Sequence, residues 1–164
     1  MPLRPEATLE RFLHRGDGHL PDLVGFRVRA IEENRLAAQL DVRTELLAPN
    51  GYLHAATVIA LADTACGYAC IAHLPIGAEN FTTIEPKCNF IGTARDGTLE
   101  CVATPAHLAG VGRDRPLQGR RARHRGIPLR PDGALAAIGM TLGAIPGAAS
   151  DSLQRQAHAS SQAL

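Results

Sequence analysis

Residues 50–70 have the sequence NGYLHAATVIALADTACGYAC, and this stretch decides the fold class of the chain. From Ala55 to Ala72 the residues are almost all small or apolar, and only Asp63 is ionised. Ala and Leu favour helix, so the segment predicts one helix of about 18 residues. A helix that is apolar on nearly every side must be surrounded by the rest of its domain.

Strand patterns flank this helix on both sides. Residues 26–42 alternate apolar and polar side chains around a Glu-Glu-Asn turn, which is typical of a β-hairpin with one solvated face. Two more strands are predicted at 81–92 and 98–104, separated by the turn-forming ARDG of 94–97. A short amphipathic helix is predicted at 8–13. One helix between hairpins indicates an α+β fold, with an antiparallel sheet against a central helix.

The pattern changes after His107. Residues 110–133 contain seven Arg without a period of two or of 3.6, and they predict no regular element. Only 134–145 has the composition of a further ordered element, and 147–164 predicts a disordered tail. We therefore assign a single domain to 1–146, with a C-terminal part that either diverged or results from a reading-frame slip.

Composition excludes several classes of function. The 164 residues suit one domain, and a net charge of +1 provides no field for nucleic acid or an acidic membrane. The Arg cluster has no aromatic residues for base stacking. The start MPLRPEATLERF lacks the apolar core of a signal peptide, so we expect a cytoplasmic protein that binds neither membrane nor nucleic acid. The four Cys have no CxxC spacing and predict free thiols rather than a metal site.

The opening stretch resembles the phenylacetate-degradation type of acyl-CoA thioesterase, in the 4-hydroxybenzoyl-CoA thioesterase superfamily. The signature of that family is an Asn and a Gly before His-Gly-Gly, with an Asp nine residues after the His, and His54 and Asp63 match this spacing. The later FTTIEPKCNFIGTARDG resembles the next strand and turn of the family. The resemblance spans about Phe26 to Thr104 and implies a hotdog fold, an antiparallel sheet wrapped around one long central helix.

The resemblance also implies hydrolysis of an acyl-CoA or aryl-acyl-CoA thioester without a metal or an organic cofactor. Asp63 is then the general base or the nucleophile, and the residues leave both roles open. Backbone N–H groups near Ala55 and Ala56, at the His54 end of the helix, would stabilise the thioester oxygen. Asn50 would orient the carbonyl or its own loop, and Thr83 would position water.

Two basic residues and two departures complete the comparison with the family. Lys87 and Arg95 are candidates for contact with the phosphates of CoA. Ala55 and Ala56 replace the two glycines of the signature, and Asn50 precedes His54 by four residues rather than the commoner six.

Helix geometry predicts how His54 and Asp63 cooperate. Nine residues of α-helix rotate by about 180° and rise by about 13 Å, so the two side chains cannot meet within one helix. A shared site then needs Asp63 of one subunit and the helix start of another, across a two-fold axis. We expect a homodimer or a dimer of dimers, as the resemblance also implies.

Alternative interpretations remain open at this point. A non-catalytic acyl-CoA-binding or degenerate hotdog protein is favoured by Ala55 and Ala56, and a hotdog hydratase or dehydratase is a third reading. His54 alone is equally typical of a helix cap. Asn50-Gly51 is a common turn pair, and Thr83 is an ordinary strand residue.

Overall fold

A computed structural model describes residues 2–74, 78–90, 92–108, 121–127 and 136–146. The helices are α1 (Leu9–Leu13), α2 (Leu20–Val24) and α3 (Ala55–Ala72), and a 3-10 turn lies at Thr44–Leu46. The strands are β1 (Arg27–Glu32), β2 (Arg35–Asp41), β3 (Ala78–Phe90), β4 (Thr98–Leu108), β5 (Arg121–Ile127) and β6 (Ala136–Pro146).

The six strands form one antiparallel sheet with the order β1-β2-β4-β5-β6-β3. In the described part of the chain, β1 and β3 are therefore the two edges. Pro86 lies within β3, and an edge strand tolerates a proline because one side of its backbone lacks a ladder partner. Asn34, in the β1–β2 turn, has a positive φ of 60°, a conformation that Asn adopts more readily than most residues.

Helix α3 lies across this sheet and forms the centre of the core. Ten of its 18 residues are buried, and they pack with the inward side chains Leu36 and Leu40 of β2, which are fully buried. At its end, His73 Nδ1 donates to the carbonyl of Ala69 at 2.7 Å, while His73 Nε2 accepts from the Asn34 N–H at 2.9 Å. This imidazole ties the helix to the β1–β2 hairpin. The sheet and its helix confirm the predicted α+β hotdog architecture.

The same helix is the one element among the described residues that is long and apolar enough to cross a membrane, judged by length and composition alone. Its burial against the sheet is what the core helix of a domain requires. Cys66 and Cys101 are buried free thiols and Cys70 and Cys88 are half-buried free thiols, as predicted.

The C-terminal prediction is wrong for 121–127. These residues form β5, which pairs with β4 on one side and β6 on the other, so two strands complete the sheet after His107. In that segment Arg alternates with Ala, His and Gly, a period of two that the high Arg content obscured. Strand β6 covers most of the predicted 134–145, whereas the predicted tail 147–164 lies outside the described residues.

The short helix α2 was not predicted. It has only five residues, too few for a helical period, and its signals are a Pro in the first turn and Gly25 at its end with a φ of 76°. The helix predicted at 8–13 is confirmed as α1, with Thr8 as its N-cap. Strand β4 extends four residues beyond the predicted 98–104.

Candidate active site

His54 is the N-cap of α3. Its Nδ1 accepts a hydrogen bond from the Ala56 N–H at 3.0 Å, and its carbonyl accepts from the Thr57 N–H at 2.9 Å. Because Nδ1 accepts, the neutral imidazole carries its proton on Nε2. The Ala56 N–H, expected to bind the thioester oxygen together with Ala55, is therefore already engaged.

Ala55 opens the helix and keeps its N–H without a hydrogen-bond partner among the described residues. Ala55 and Ala56 are both exposed, so their methyl groups point to space that the rest of the described chain does not fill. The first turn of α3 contains no acidic residue. The positive end of the helix dipole is thus uncompensated, which favours an anion or a developing negative charge at this point.

The start of α3 is held in place by the loop that precedes it. The buried Thr57 hydroxyl donates to the Leu46 carbonyl at 3.0 Å, and the His54 N–H donates to the same carbonyl at 3.0 Å. Gly51 has a φ of 78°, which glycine adopts without strain, and Asn50 Oδ1 accepts from the Tyr52 N–H at 3.2 Å. Asn50 thus organises its own loop, one of the two roles predicted for it.

Arg95 lies beside this helix start. The Leu53 N–H donates to the Ala94 carbonyl at 2.8 Å, which joins the loop to the turn before β4. The Arg95 guanidinium lies 4.1 Å from the centroid of the Tyr52 ring, a cation–π contact, and both side chains are exposed. A positive charge held over an aromatic ring next to a helix N-terminus is suited to an anionic group such as a phosphate.

Asp63 and Thr83 form the second part of the site. Asp63 lies in the middle of α3 and Thr83 in β3, 20 residues apart in sequence. The Thr83 hydroxyl donates to Asp63 Oδ1 at 2.9 Å, and both side chains are half-buried. The bond orients the carboxylate and leaves Oδ2 as its free acceptor within the described residues. Thr83 therefore contacts the carboxylate itself, beyond the predicted contact with water.

The structure brings some predicted residues together and keeps others apart. His54, Ala55, Asn50 and Arg95 share one region at the start of α3, whereas Asp63 and Thr83 lie half a helix away. Lys87 is exposed on β3 and makes no ion pair among the described residues. Within one chain the His54 and Asp63 side chains thus lie apart, as helix geometry predicted.

The residues that sequence reasoning missed include Tyr52, which positions Arg95. The sequence indicates Tyr52 only by its position, as an aromatic residue directly after the Asn50-Gly51 turn. Within the described part of the chain, no group of three or more His, Cys, Asp or Glu is arranged to bind a metal ion.

Known proteins resemble this chain in sequence and in fold. A family model for the Thioesterase superfamily matches residues 50–111. The 1,4-dihydroxy-2-naphthoyl-CoA hydrolase of Escherichia coli (strain K12) is 28% identical over 106 residues, which span 63% of this chain and 75% of that protein.

Two solved structures show the same fold. A mutant thioesterase from Pseudomonas aeruginosa superimposes with a TM-score of 0.76 at 21% identity, over 88% of this chain and 98% of that one. A thioesterase from Haemophilus influenzae also gives a TM-score of 0.76, at 20% identity, over 89% of this chain and 96% of that one. Over residues 50–111 the chain is therefore similar in sequence to the Thioesterase superfamily, and its antiparallel sheet and central helix form a hotdog fold.

Proposed function

We propose that the protein hydrolyses acyl-CoA or aryl-acyl-CoA thioesters to the free acid and CoA, in the cytoplasm, as a homodimer or a dimer of dimers. The Asp63 carboxylate, half-buried in an apolar helix and oriented by Thr83, is the observation that carries this proposal. Partial burial of a carboxylate among apolar residues lowers the stability of the fold, so its presence there indicates a function. The similarity to a curated CoA-thioester hydrolase supports the same type of reaction.

Asp63 has two chemically complete roles in this reaction. As general base, it takes a proton from water while the water oxygen attacks the thioester carbon; the C–S bond then breaks and CoA leaves as the thiol after protonation. As nucleophile, its own oxygen attacks that carbon, CoA leaves, and water hydrolyses the resulting mixed anhydride. Oδ2 is the oxygen available for either role, because Oδ1 accepts from Thr83.

The helix start supplies the groups that stabilise the oxyanion. In either route negative charge develops on the thioester oxygen, and the Ala55 N–H is a donor at the positive end of α3. The Nε2–H of His54 is a second donor, since Nδ1 is occupied by Ala56. Removing one such donor typically raises the barrier by about 3 kcal/mol.

Two subunits supply the two halves. Strand β3 is an edge strand of the described sheet and includes Thr83, so pairing at this edge places a second subunit next to Asp63. A two-fold axis there lets the helix start of one subunit approach the carboxylate of the other. Arg95, held over Tyr52, and Lys87 on β3 then provide cations for the phosphates of CoA.

Release of free thiol from a panel of acyl-CoA and phenylacetyl-CoA thioesters tests the proposal. We expect turnover by the native protein, none by Asp63→Asn, and an unchanged oligomer in size exclusion for both. The Asn side chain preserves the shape and the acceptor for Thr83 and removes only the basic oxygen. Turnover that survives in Asp63→Asn, or a monomeric active protein, would contradict the proposal.

Heavy-oxygen water identifies a nucleophilic Asp63 when water hydrolyses the mixed anhydride at the Asp63 carbon. Repeated turnover in this solvent then introduces the label into the Asp63 carboxylate, whereas a general base, or an anhydride that is hydrolysed at its acyl carbon, introduces the label only into the product acid. Mass spectrometry of the peptide that contains Asp63 reads the result.

One observation favours a second function, acyl-CoA binding without hydrolysis. The Ala56 N–H, which would otherwise help to bind the oxyanion, is engaged by His54. A protein that binds acyl-CoA tightly, yet releases no thiol from any ester, would have this function.

A further inference from the structure

An open cavity lies along α3, beyond Asp63, and no part of the reaction above uses it. Its volume is about 550 Å³, within the range of roughly 300–1,000 Å³ typical of small-molecule sites. It is lined from three separate parts of the chain: the segment around α1 and α2, the second half of α3, and the start of β3. The lining side chains used below are Arg11, Arg15, Tyr68, Ile71 and Phe81.

The cavity lies on the far side of the Phe81 ring from the carboxylate half of the site. Asp63, Gly67 and Ile71 are spaced by four residues on α3 and share one face of the helix. Phe81 and Thr83 are two residues apart in a regular part of β3 and share one face of the strand. Thr83 bonds to Asp63 and Phe81 packs over Gly67, so the Phe81 ring lies between the carboxylate and the cavity and forms one wall of the cavity.

The chemistry of the lining is apolar and aromatic inside and cationic at the rim. Phe81, Ile71 and Tyr68 provide the apolar wall, and burial raises the pKa of the Tyr68 hydroxyl, which keeps it protonated. Arg11 and Arg15 are exposed at the cavity, and neither has a carboxylate partner within the described residues.

Arg15 is the better positioned of the two. Its guanidinium lies 5.7 Å from the ring centroids of both Phe12 and Tyr68, so stacking holds the charge in one place. Phe12 and Tyr68 are buried and contact each other edge to face at 5.5 Å. A guanidinium fixed in this way loses less freedom on binding and suits the planar geometry of a carboxylate.

We infer that this cavity binds the acyl part of the thioester and that Arg15 selects acyl groups with an aromatic or flat apolar body and a carboxylate at the far end. The inference rests on the proposed function, since it assigns the substrate class of the same site. Carbonyl chemistry takes place at Asp63, the acyl body passes along the Phe81 ring into the cavity, and the distal carboxylate reaches Arg15. Arg15 is a specificity residue and takes no part in bond breaking.

Binding to an inactive protein tests this inference without requiring turnover. The probes are 4-carboxyphenylacetyl-CoA and 4-carbamoylphenylacetyl-CoA, which have nearly the same shape and differ by one negative charge. Calorimetry with Asp63→Asn should give about tenfold tighter binding of the carboxylate ester, as expected for one hydrogen bond to a charged group. Adding Arg15→Gln should remove most of this preference.

Three controls sharpen the comparison. Arg29→Gln removes the same charge from an exposed position on β1 outside the cavity lining and should keep the preference. Arg15→Lys keeps the charge and should retain part of the preference, which separates loss of charge from loss of packing on Tyr68. Thermal unfolding of each variant confirms that it is folded.

Two results would overturn the inference. In the first, Asp63→Asn binds both esters with equal affinity or binds neither. In the second, Arg15→Gln weakens the binding of both esters and of free CoA by the same factor. The second result would mean that Arg15 contacts the phosphates of CoA. The proposed function fails separately, if the native protein releases thiol from no ester. A carboxylate preference in such a protein would still support the cavity assignment.

Discussion

The Thr83 hydroxyl donates a hydrogen bond of 2.9 Å to Asp63 Oδ1, which joins the edge strand β3 to the middle of the central helix. This bond sets the direction of the one carboxylate on α3, and we expect it to act on the rate rather than on binding. Thr83→Val keeps the shape and removes the donor. It should lower kcat about tenfold, the effect of one hydrogen bond to a charged group, with KM nearly unchanged.

Steady-state kinetics of Thr83→Val and Thr83→Ser, side by side, check this prediction. Ser retains the hydroxyl and should recover most of kcat. A Ser variant as slow as the Val variant, or a change in KM alone, would show that Thr83 only fills space.

His54 combines a structural role and a proposed catalytic role, and two substitutions separate them. His54→Ala removes the side chain that caps α3 and should destabilise the protein by about 1 kcal/mol. His54→Asn supplies another capping oxygen and should restore the melting temperature. Because Asn cannot place a donor where Nε2–H lies, activity should stay low in both variants, as thermal unfolding and thiol release together would show. Full activity in His54→Asn would show that His54 only caps α3 and takes no part in catalysis.

Arg95 should affect binding of CoA rather than chemistry. Arg95→Gln removes the cation that lies over Tyr52, and we expect a several-fold higher KM for every CoA ester with kcat unchanged. Inhibition by free CoA should weaken by the same factor, and added salt should narrow the difference, since salt screens exposed charges. Arg29→Gln is the matched control. An effect on one acyl group only would contradict this assignment.

Gly67 is required by the close approach of Phe81. A Cβ at position 67 would lie 2.4 Å from Phe81 Cζ, so Gly67→Ala must displace the ring. Overpacking of this kind costs about 1–3 kcal/mol, while the better helix propensity of Ala returns about 1 kcal/mol. We expect a lower melting temperature that the double variant Gly67→Ala/Phe81→Leu recovers. A single variant as stable as the native protein would show that the ring moves freely into the cavity.

The thiols should be unreactive at neutral pH and sensitive to alkali. Burial raises the pKa of Cys70 to about 11 and that of Cys101 to about 12, from 9.0 for an unperturbed thiol. At pH 8 both stay protonated in the folded protein and should resist iodoacetamide, whereas all four Cys should react in urea.

The same shifts fix the sign of the pH dependence. Above pH 9 the unfolded chain loses thiol protons that the folded chain keeps. This ionisation stabilises the unfolded state, so the free energy of unfolding falls as pH rises from 9 towards 11. Urea unfolding at pH 8, 9 and 10 measures this decline. Rapid alkylation of Cys101 in the native state would contradict the burial.

The sequence by itself determined the central helix, the β1–β2 hairpin before it, the two strands after it and the spacing of a capping His from a mid-helix Asp. These features depend on local periodicity and spacing, which are visible in residues 26–104. The second predicted hairpin is wrong: β3 pairs with β6, and β4 pairs with β2 and β5, because the sheet order separates these two strands. Strand β5 was missed because its period of two is formed by Arg, and only pairing with β4 and β6 on both sides makes that segment a strand.

The tertiary structure alone decided which residues meet. Thr83 contacts Asp63 across 20 positions, Arg95 packs on Tyr52, and Arg15 stacks on Tyr68, because sheet order and helix packing bring distant segments together. The cavity combines three such segments, and none of them has a sequence pattern that indicates a shared site. Local patterns determine elements, whereas a site depends on long-range contacts that form only when the elements pack.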